Sequence, residues 1–498
     1  MTWHSLLPLL LVLSSLIPGL AIFFLHERAR RTRIALNLGG ALLKTGLMGV
    51  MIAGIYAGQD FEFRIPFMLD YDLVLHGDAM SVIFASLSTV LWLVTTVYAI
   101  GYLEESPNRS RFFGFFSLCV SATIGIALAG NMITFVVFYE LLTLTTYPLV
   151  VHRGTPEALR AGKIYLIYTL VSGTLLLVAV LWLRTLAGPL DFTAAGLLAD
   201  IDPLHYDALI IIFWMLIASL GVKAALVPLH GWLPLAMVAP APVSALLHAV
   251  AVVKAGAFGI IRVVYDVYGI EFSARLGVLT GLAVLAAITV IYGSLRALFQ
   301  DDLKKRLAYS TISQVSYIIL GVAIFGPLAT IGGVTHLVHQ GIMKITLFFC
   351  AGNLAETLHI HRVSEMAGVG RRMPWTMLAF TIGALGMIGL PPLAGFVSKW
   401  FLGVGAADRE MAWVLWVLAA SSALNAAYFL PILYTAWFKP PQRQWHEEFP
   451  RARFETHWML LWPPVVTALL VLLAGLFAAS EYSPLSWSKI ITAREYLQ

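Results

Sequence analysis

The sequence predicts an all-α polytopic membrane protein of about 14 transmembrane helices. It further predicts two inverted five-helix repeats, spans 4–8 and 9–13, with helices 7 and 12 broken. Three observations carry this prediction. Hydrophobic residues fill 59% of 498 positions and charged ones only 12%, about half the ~25% of a soluble domain. So little polar surface cannot cover a globule in water. Apolar runs of roughly 20 residues, each long enough to cross a hydrocarbon core of ~30 Å, recur from end to end. Lysines and arginines also gather in alternate loops, as they do where charge fixes topology.

The first apolar run, Leu6 to Leu25, has no basic stretch before it. It ends in the arginine-rich HERARRTR, not in a small-residue cleavage site, so it reads as a retained span rather than a signal peptide. Polar breaks then place spans at 5–25, 34–57, 78–102, 112–130, 132–152, 162–185, 207–229, 240–262, 276–299, 307–325, 329–352, 374–402, 412–437 and 458–480. Loops after odd-numbered spans hold 20 Lys and Arg, Lys304 among them, against seven on the opposite side, which include Arg262 and Arg494. The excess marks the cytoplasmic face and puts both termini outside. Four units follow: N-terminal spans at 1–111, a first five-helix repeat at 112–265, a second at 266–437, and a cytoplasmic loop with the last span at 438–498. The most polar loop, Lys439 to His457, is expected to cover the cytoplasmic end.

Five lysines remain inside spans: Lys44, Lys223, Lys254, Lys344 and Lys399. A lysine at mid-bilayer costs about 3 kcal/mol on insertion scales, so such residues normally face a polar interior and mark an ion path. Lys44 has no acidic neighbour in sequence and is the weakest candidate. Lys223 stands five residues before Pro228, and Lys399 follows Pro391 and Pro392. Proline removes a backbone hydrogen bond and clashes with the preceding turn. At bilayer depth such breaks survive only where protein or a wet cavity satisfies the freed groups. Two broken helices in corresponding positions point to an inverted-repeat transporter with its site at mid-membrane. Prolines that merely kink lipid-packed helices would leave the adjacent lysines unexplained.

Glu140, the only carboxylate of the fifth span, is expected to form a switch with Lys223. Burial disfavours both charged forms, whereas an opposite charge nearby favours them. Changing their separation would therefore release or capture a proton. Between the breaks lie His248 and Lys254, then His336, His339 and Lys344. Histidine relays protons near neutral pH. The expected order is a horizontal chain, Glu140–Lys223–Lys254–Lys344–Lys399, with His248 and His336 beside it. His339 is as readily a packed core residue.

Other chemistry is poorly supported. Only Cys119 and Cys350 occur, both in apolar runs, which excludes a cysteine-ligated cluster or a CxxC motif. The histidines lack a haem attachment motif, and no cofactor or metal site is expected. The net charge of +5 comes without an aromatic stacking platform, so no nucleic-acid partner is expected. The lipid bilayer is the immediate environment.

The segments GNMITFVVFYELLTL, GVKAALVPLHGWLP, APAPVSALLHAVAVVKAG, DDLKKRLAYSTISQVSYIILG and IGLPPLAGFVSKW resemble the antiporter-like family. That family is shared by Mrp-type Na⁺/H⁺ antiporters and the membrane arm of respiratory complex I. The match runs over roughly residues 75 to 435, and chain length is most similar to the D-type branch of Mrp and the M- and N-type branches of complex I. The resemblance implies that Glu140 is the fifth-helix glutamate, Lys223 the seventh-helix lysine, Lys254 the bridging lysine and Lys399 the terminal lysine. The family often has Asn-His where this chain has His339-Gln340, so the relay is read through His336 and Lys344. Implied partners are other membrane subunits, like Mrp A, B, C, E, F and G or like those of complex I. The expected function is proton translocation within an Mrp-type cation/H⁺ antiporter. The alternatives are a proton-pumping arm of a complex I-like or hydrogenase redox complex, and a stand-alone solute carrier. Protons are the expected cargo. Na⁺ remains open, because only Glu140 with Thr143, Thr145 and Thr146 offers it oxygen ligands.

Overall fold

A computed structural model describes residues 3–68, 71–103, 106–194, 196–199, 201–441 and 455–496. The chain begins with α1 (Trp3–Phe23) and α2 (Arg30–Tyr56), followed by a hairpin of β1 (Glu62–Met68) and β2 (Tyr71–His76). Next come α3 (Ala79–Tyr102), α4 (Arg109–Ala127), α5 (Met132–Val150), α6 (Pro156–Ala187) and α7 (Tyr206–Ala224). The middle holds the short α8 (Trp232–Leu235), then α9 (Ala241–Ala249), α10 (Val252–Arg262), the short α11 (Ile270–Arg275) and α12 (Val278–Leu298). Two long helices follow, α13 (Leu303–Ala323) and α14 (Pro327–Leu358). The remainder comprises α15 (Val369–Arg372), α16 (Pro374–Ile388), α17 (Ala394–Asp408), α18 (Ala412–Phe438), α19 (Trp458–Leu476) and α20 (Pro484–Tyr496).

Loop residues start many of these helices by meeting their free N–H groups. Asp78 accepts from Ser81 N at 2.7 Å, Asn131 from Thr134 N at 2.8 Å and Asp302 from Lys305 N at 2.8 Å. Thr155 caps α6, with Pro156 at its first position.

Among the described residues, 11 helices are long and apolar enough to cross a membrane, and the chain is a multi-pass membrane protein. The other expected spans are of two kinds. α13 and α14 carry many buried polar side chains, including Ser310, Thr311, Gln314, His336 and Lys344. A helix polar on several faces is stable in a membrane only when protein surrounds it. α14 is that central helix, flanked by α3, α9, α13, α16, α17, α19 and α20. The twelfth span is split into α16 and α17 around Pro391 and Pro392, and the seventh ends at Ala224 before Pro228, as the prolines required.

The structure corrects the sequence reading in three places. The eighth span, read as continuous over 240–262, is broken between α9 and α10 without any proline, at Val250 and Ala251. It then runs into a π-turn, Val263–Val267. The segment between the second and third spans, read as a loop, is a hairpin sewn to the α4–α5 joint. His76 N donates to Leu128 O at 2.7 Å and Gly130 N to Val74 O at 2.9 Å. The tail after 480 is helical and packs on α14 and α3. The polar loop expected from Lys439 to His457 falls largely on 442–454, outside the described residues.

α10 and α7 approach closely through Gly256, where an added Cβ would collide with Ala224 N and lie 2.7 Å from Leu220 O. Both atoms are backbone and cannot yield. Gly256→Val should therefore lower the thermal unfolding temperature of the detergent-purified protein by several degrees. Overpacking of this kind costs about 1–3 kcal/mol. An unchanged unfolding temperature would contradict the close approach.

Candidate functional site

Lys223 sits in the last turn of α7, two residues before Ala225, whose left-handed φ of 59° ends the helix. Its ammonium donates to the Tyr139 carbonyl at 2.5 Å and lies 3.3 Å from the Tyr139 ring centroid. Glu140, next along α5, sends its carboxylate toward α6, where a Cβ on Gly173 would strike it. Its Oε1 has no protein partner. Glu140 and Lys223 thus form no ion pair within 4 Å, yet they are close enough to interact electrostatically. The nearby threonines bond their own helix: Thr143 to Tyr139 O, Thr145 to Leu141 O and Thr146 to Leu142 O.

The second group spans α10, α14 and α17. Lys254 donates to Leu337 O at 2.7 Å, one residue from His336. His336 Nδ1 is 2.8 Å from Ser398 Oγ and its Nε2 is 3.1 Å from Gln314 Oε1. Ser398 adjoins Lys399, which donates to Met387 O at 2.9 Å, Ile388 O at 3.0 Å and Ser422 Oγ at 3.3 Å. Those two carbonyls end α16, where a helix leaves its last C=O groups without internal partners. Tyr317 faces both ends of this linkage. Its ring is 5.3 Å from His336 and 5.1 Å from the Lys399 ammonium.

Lys344 and His248 have contacts of their own. Lys344 is eight residues beyond His336 on α14, about 12 Å toward the other end of the helix. It donates to Leu307 O at 3.2 Å and to Ser310 Oγ. His248 closes α9, stacks on Phe348 at 4.6 Å, and has no protein partner at either ring nitrogen. His339 is buried in α14. Lys44 is remote, held by Ser15 Oγ at 2.6 Å and 4.7 Å from the Trp92 ring.

Sequence reading treated Lys304 as a loop charge. The structure turns its ammonium inward, to Ala239 O at 2.6 Å and Ser244 Oγ at 3.5 Å, one helical turn before His248. Lys304 also borders a cavity of about 260 Å³ with Tyr102, Arg153, Asp302, Lys305 and His361. The hydroxyl and amide partners Ser310, Gln314, Tyr317 and Ser398 were likewise missed. For Ser310 and Gln314, and for Tyr317 directly after it, the signal was the polar run STISQVS within an otherwise apolar span. Among the described residues, no three His, Cys, Asp or Glu side chains converge as a metal site.

The arrangement holds ammonium groups and an imidazole within reach of one another in a protein interior, which suits stepwise proton transfer. Residues 129–425 match the family described as NADH:quinone oxidoreductase/Mrp antiporter, TM. Residues 63–113 match the N-terminus of complex I chain 5. The N-type subunit of the NADH-quinone oxidoreductase of Desulforudis audaxviator is 36% identical over 77% of this chain and 78% of its own. The D-type subunit of the Na⁺/H⁺ antiporter of Bacillus subtilis is 27% identical over 98% of this chain and 97% of its own. The Mrp complex from a Dietzia species contains a chain of the same fold, with a TM-score of 0.85 and 22% identity over 100% of this chain and 98% of that one.

Because Lys44 is remote and Ser398 bridges His336 to the Lys399 segment, the two should separate on mutation. Lys44→Met is expected to leave proton flux into vesicles undiminished, whereas Ser398→Ala should cut it several-fold. The opposite ranking, read with a trapped pH dye, would show that the linkage through His336 is not used.

Proposed function

We propose, since the chain belongs to the NADH:quinone oxidoreductase/Mrp antiporter transmembrane family, that it is the proton-translocating subunit of a multi-subunit Mrp-type Na⁺/H⁺ antiporter. The observation that carries this reading is the linkage Lys254–Leu337 O, His336–Ser398 and Lys399–Ile388 O. It sets two ammonium groups and an imidazole, which bind and release protons, between one broken helix and another.

On this reading protons are taken up from the cytoplasm through the cavity at Lys304 and pass His248 and Lys344 to Lys254. They cross by His336 and leave near Lys399. Glu140 and Lys223 set the charge state of the first half, since moving a carboxylate toward or away from an ammonium alters how firmly each holds its proton. The segments 112–265 and 266–437 then act as two coupled repeats, each with one broken helix beside a lysine. Protons are the cargo of this chain, with no cofactor of its own. The loop charge asymmetry supports a bacterial-type inner membrane placement with both termini outside. Partners are the other membrane subunits of the antiporter. The similarity to the D-type antiporter protein over 97% of its length favours this complex.

A second reading, the proton-pumping arm of a redox complex, is favoured by the 36% identity to the N-type protein of an NADH-quinone oxidoreductase. Purification with native partners separates the two: small antiporter subunits support the first, iron–sulfur or hydrogenase-like subunits the second. Lys223→Ala and Glu140→Ala should each abolish ΔpH-driven dye responses in everted vesicles while the complex still assembles. Full transport in either variant would refute the mechanism.

A further inference from the structure

α13 and α18 each carry a polar stripe that the route through Lys254 and His336 does not pass along. On α13, Ser310, Ser313 and Tyr317 stand at positions i, i+3 and i+7. On α18, Ser421, Asn425 and Tyr428 stand at i, i+4 and i+7. Either spacing puts its three residues on one helix face. All six are fully buried. The stripes run in opposite directions and face each other. The Tyr428 hydroxyl lies against Ser310 at one end, and the Tyr317 hydroxyl lies against Ser421 and Ser422 at the other. Ser294 of α12 closes the seam between them, 2.8 Å from Ser313 Oγ and 3.2 Å from Ser421 Oγ.

Each end of this seam holds a relay lysine. Lys344 donates to Ser310 Oγ. Lys399 donates to Ser422 Oγ at 3.3 Å, with its ammonium 5.1 Å from the Tyr317 ring. Ser310 and Tyr317 are two turns apart on α13, about 10 Å along the helix. Asn425 fixes the tyrosine that α18 contributes. Its Nδ2 donates to Ser421 O at 2.7 Å, which orients the amide, and its Oδ1 accepts from the Tyr428 hydroxyl. Arg306 donates to Tyr428 O at 3.0 Å and fastens the same residue by its backbone.

Buried polar side chains in a membrane bundle commonly tie helices together. That role fits Ser294, which reaches both Ser313 and Ser421. It does not fit the tyrosines. Tyr428 and Asn425 bond within α18, and among the described residues the Tyr317 hydroxyl completes no hydrogen bond. A phenol buried in that state calls for a water partner. A hydroxyl both donates and accepts, so it can take one proton and pass on its own.

We propose that this seam is a second proton route, from Lys344 to Lys399 by way of Ser310, Tyr428 and Tyr317, parallel to the one through Lys254 and His336. The inference rests on the proton-translocating function argued above. Its step is proton transfer alone. The Lys344 ammonium gives a proton to Ser310, each hydroxyl accepts one proton as it releases its own, and the Lys399 amine becomes an ammonium. Tyr428 is the transfer group at the centre of the seam, and Asn425 holds it there.

The test uses the complex with its native partners, reconstituted into liposomes with a trapped pH dye. Tyr428→Phe removes one oxygen and keeps the ring, and should cut proton flux several-fold. Combined with Ser398→Ala, which interrupts the His336 route, it should bring flux down to the level of Lys223→Ala. Full flux in Tyr428→Phe, or a double variant no slower than its slower parent, would overturn the second route and leave the proposed function intact. Normal flux in Lys223→Ala would overturn both. Should Tyr428→Phe assemble poorly, Ser310→Ala cuts the seam at its Lys344 end and is read by the same outcomes.

Discussion

A backbone carbonyl is what allows each relay lysine to stay inside this bundle. Lys223 meets Tyr139 O, Lys254 meets Leu337 O, Lys344 meets Leu307 O and Lys399 meets Met387 O and Ile388 O. Lys304 follows the same rule with Ala239 O. Among the described residues none of these lysines is within 4 Å of a carboxylate. A full ion pair in a low-dielectric interior would fix the ammonium, because removing its proton would strand an unpaired charge. A neutral carbonyl satisfies the ammonium yet leaves no net charge behind when the proton departs. Retention and release of protons are thereby reconciled.

The helix breaks follow from the same constraint. Ending a helix at bilayer depth exposes carbonyls that must find donors within the protein. At the end of α16 the donor is Lys399 itself. At the end of α7 it is the indole of Trp232, which bonds Val222 O at 2.7 Å. The two breaks therefore share a physical problem but solve it differently. At the α16–α17 joint the charge-carrying residue is also the cap, so any change in its protonation alters how that joint is held.

Arginines have the complementary role. They do not give up protons, and here they gather with Asp78, Asp266 and Glu495 at the end of the bundle, where α20 is pinned across α3, the π-turn and α14. Lysines at mid-depth on carbonyls and arginines at the rim on carboxylates divide movable charge from fixed charge.

The sequence by itself determined that the chain crosses the membrane many times, that its buried lysines and histidines cluster in the middle of the chain, and that helices break near Pro228 and Pro391–Pro392. Each of these depends on local composition or on proline chemistry, which a linear reading can see. Tertiary structure alone decided the rest. The break at Val250–Ala251 carries no proline, and the hairpin at 62–76 is held by the α4–α5 joint. Lys344 is held by Leu307 O and Ser310, and His248 stacks on Phe348. Arg262 and Arg494 are interior rather than flanking. The reason is separation along the chain: the carbonyl that holds Lys254 is 83 residues away and the serine that holds His336 is 62 away. No hydropathy pattern records a partner that only packing brings into reach.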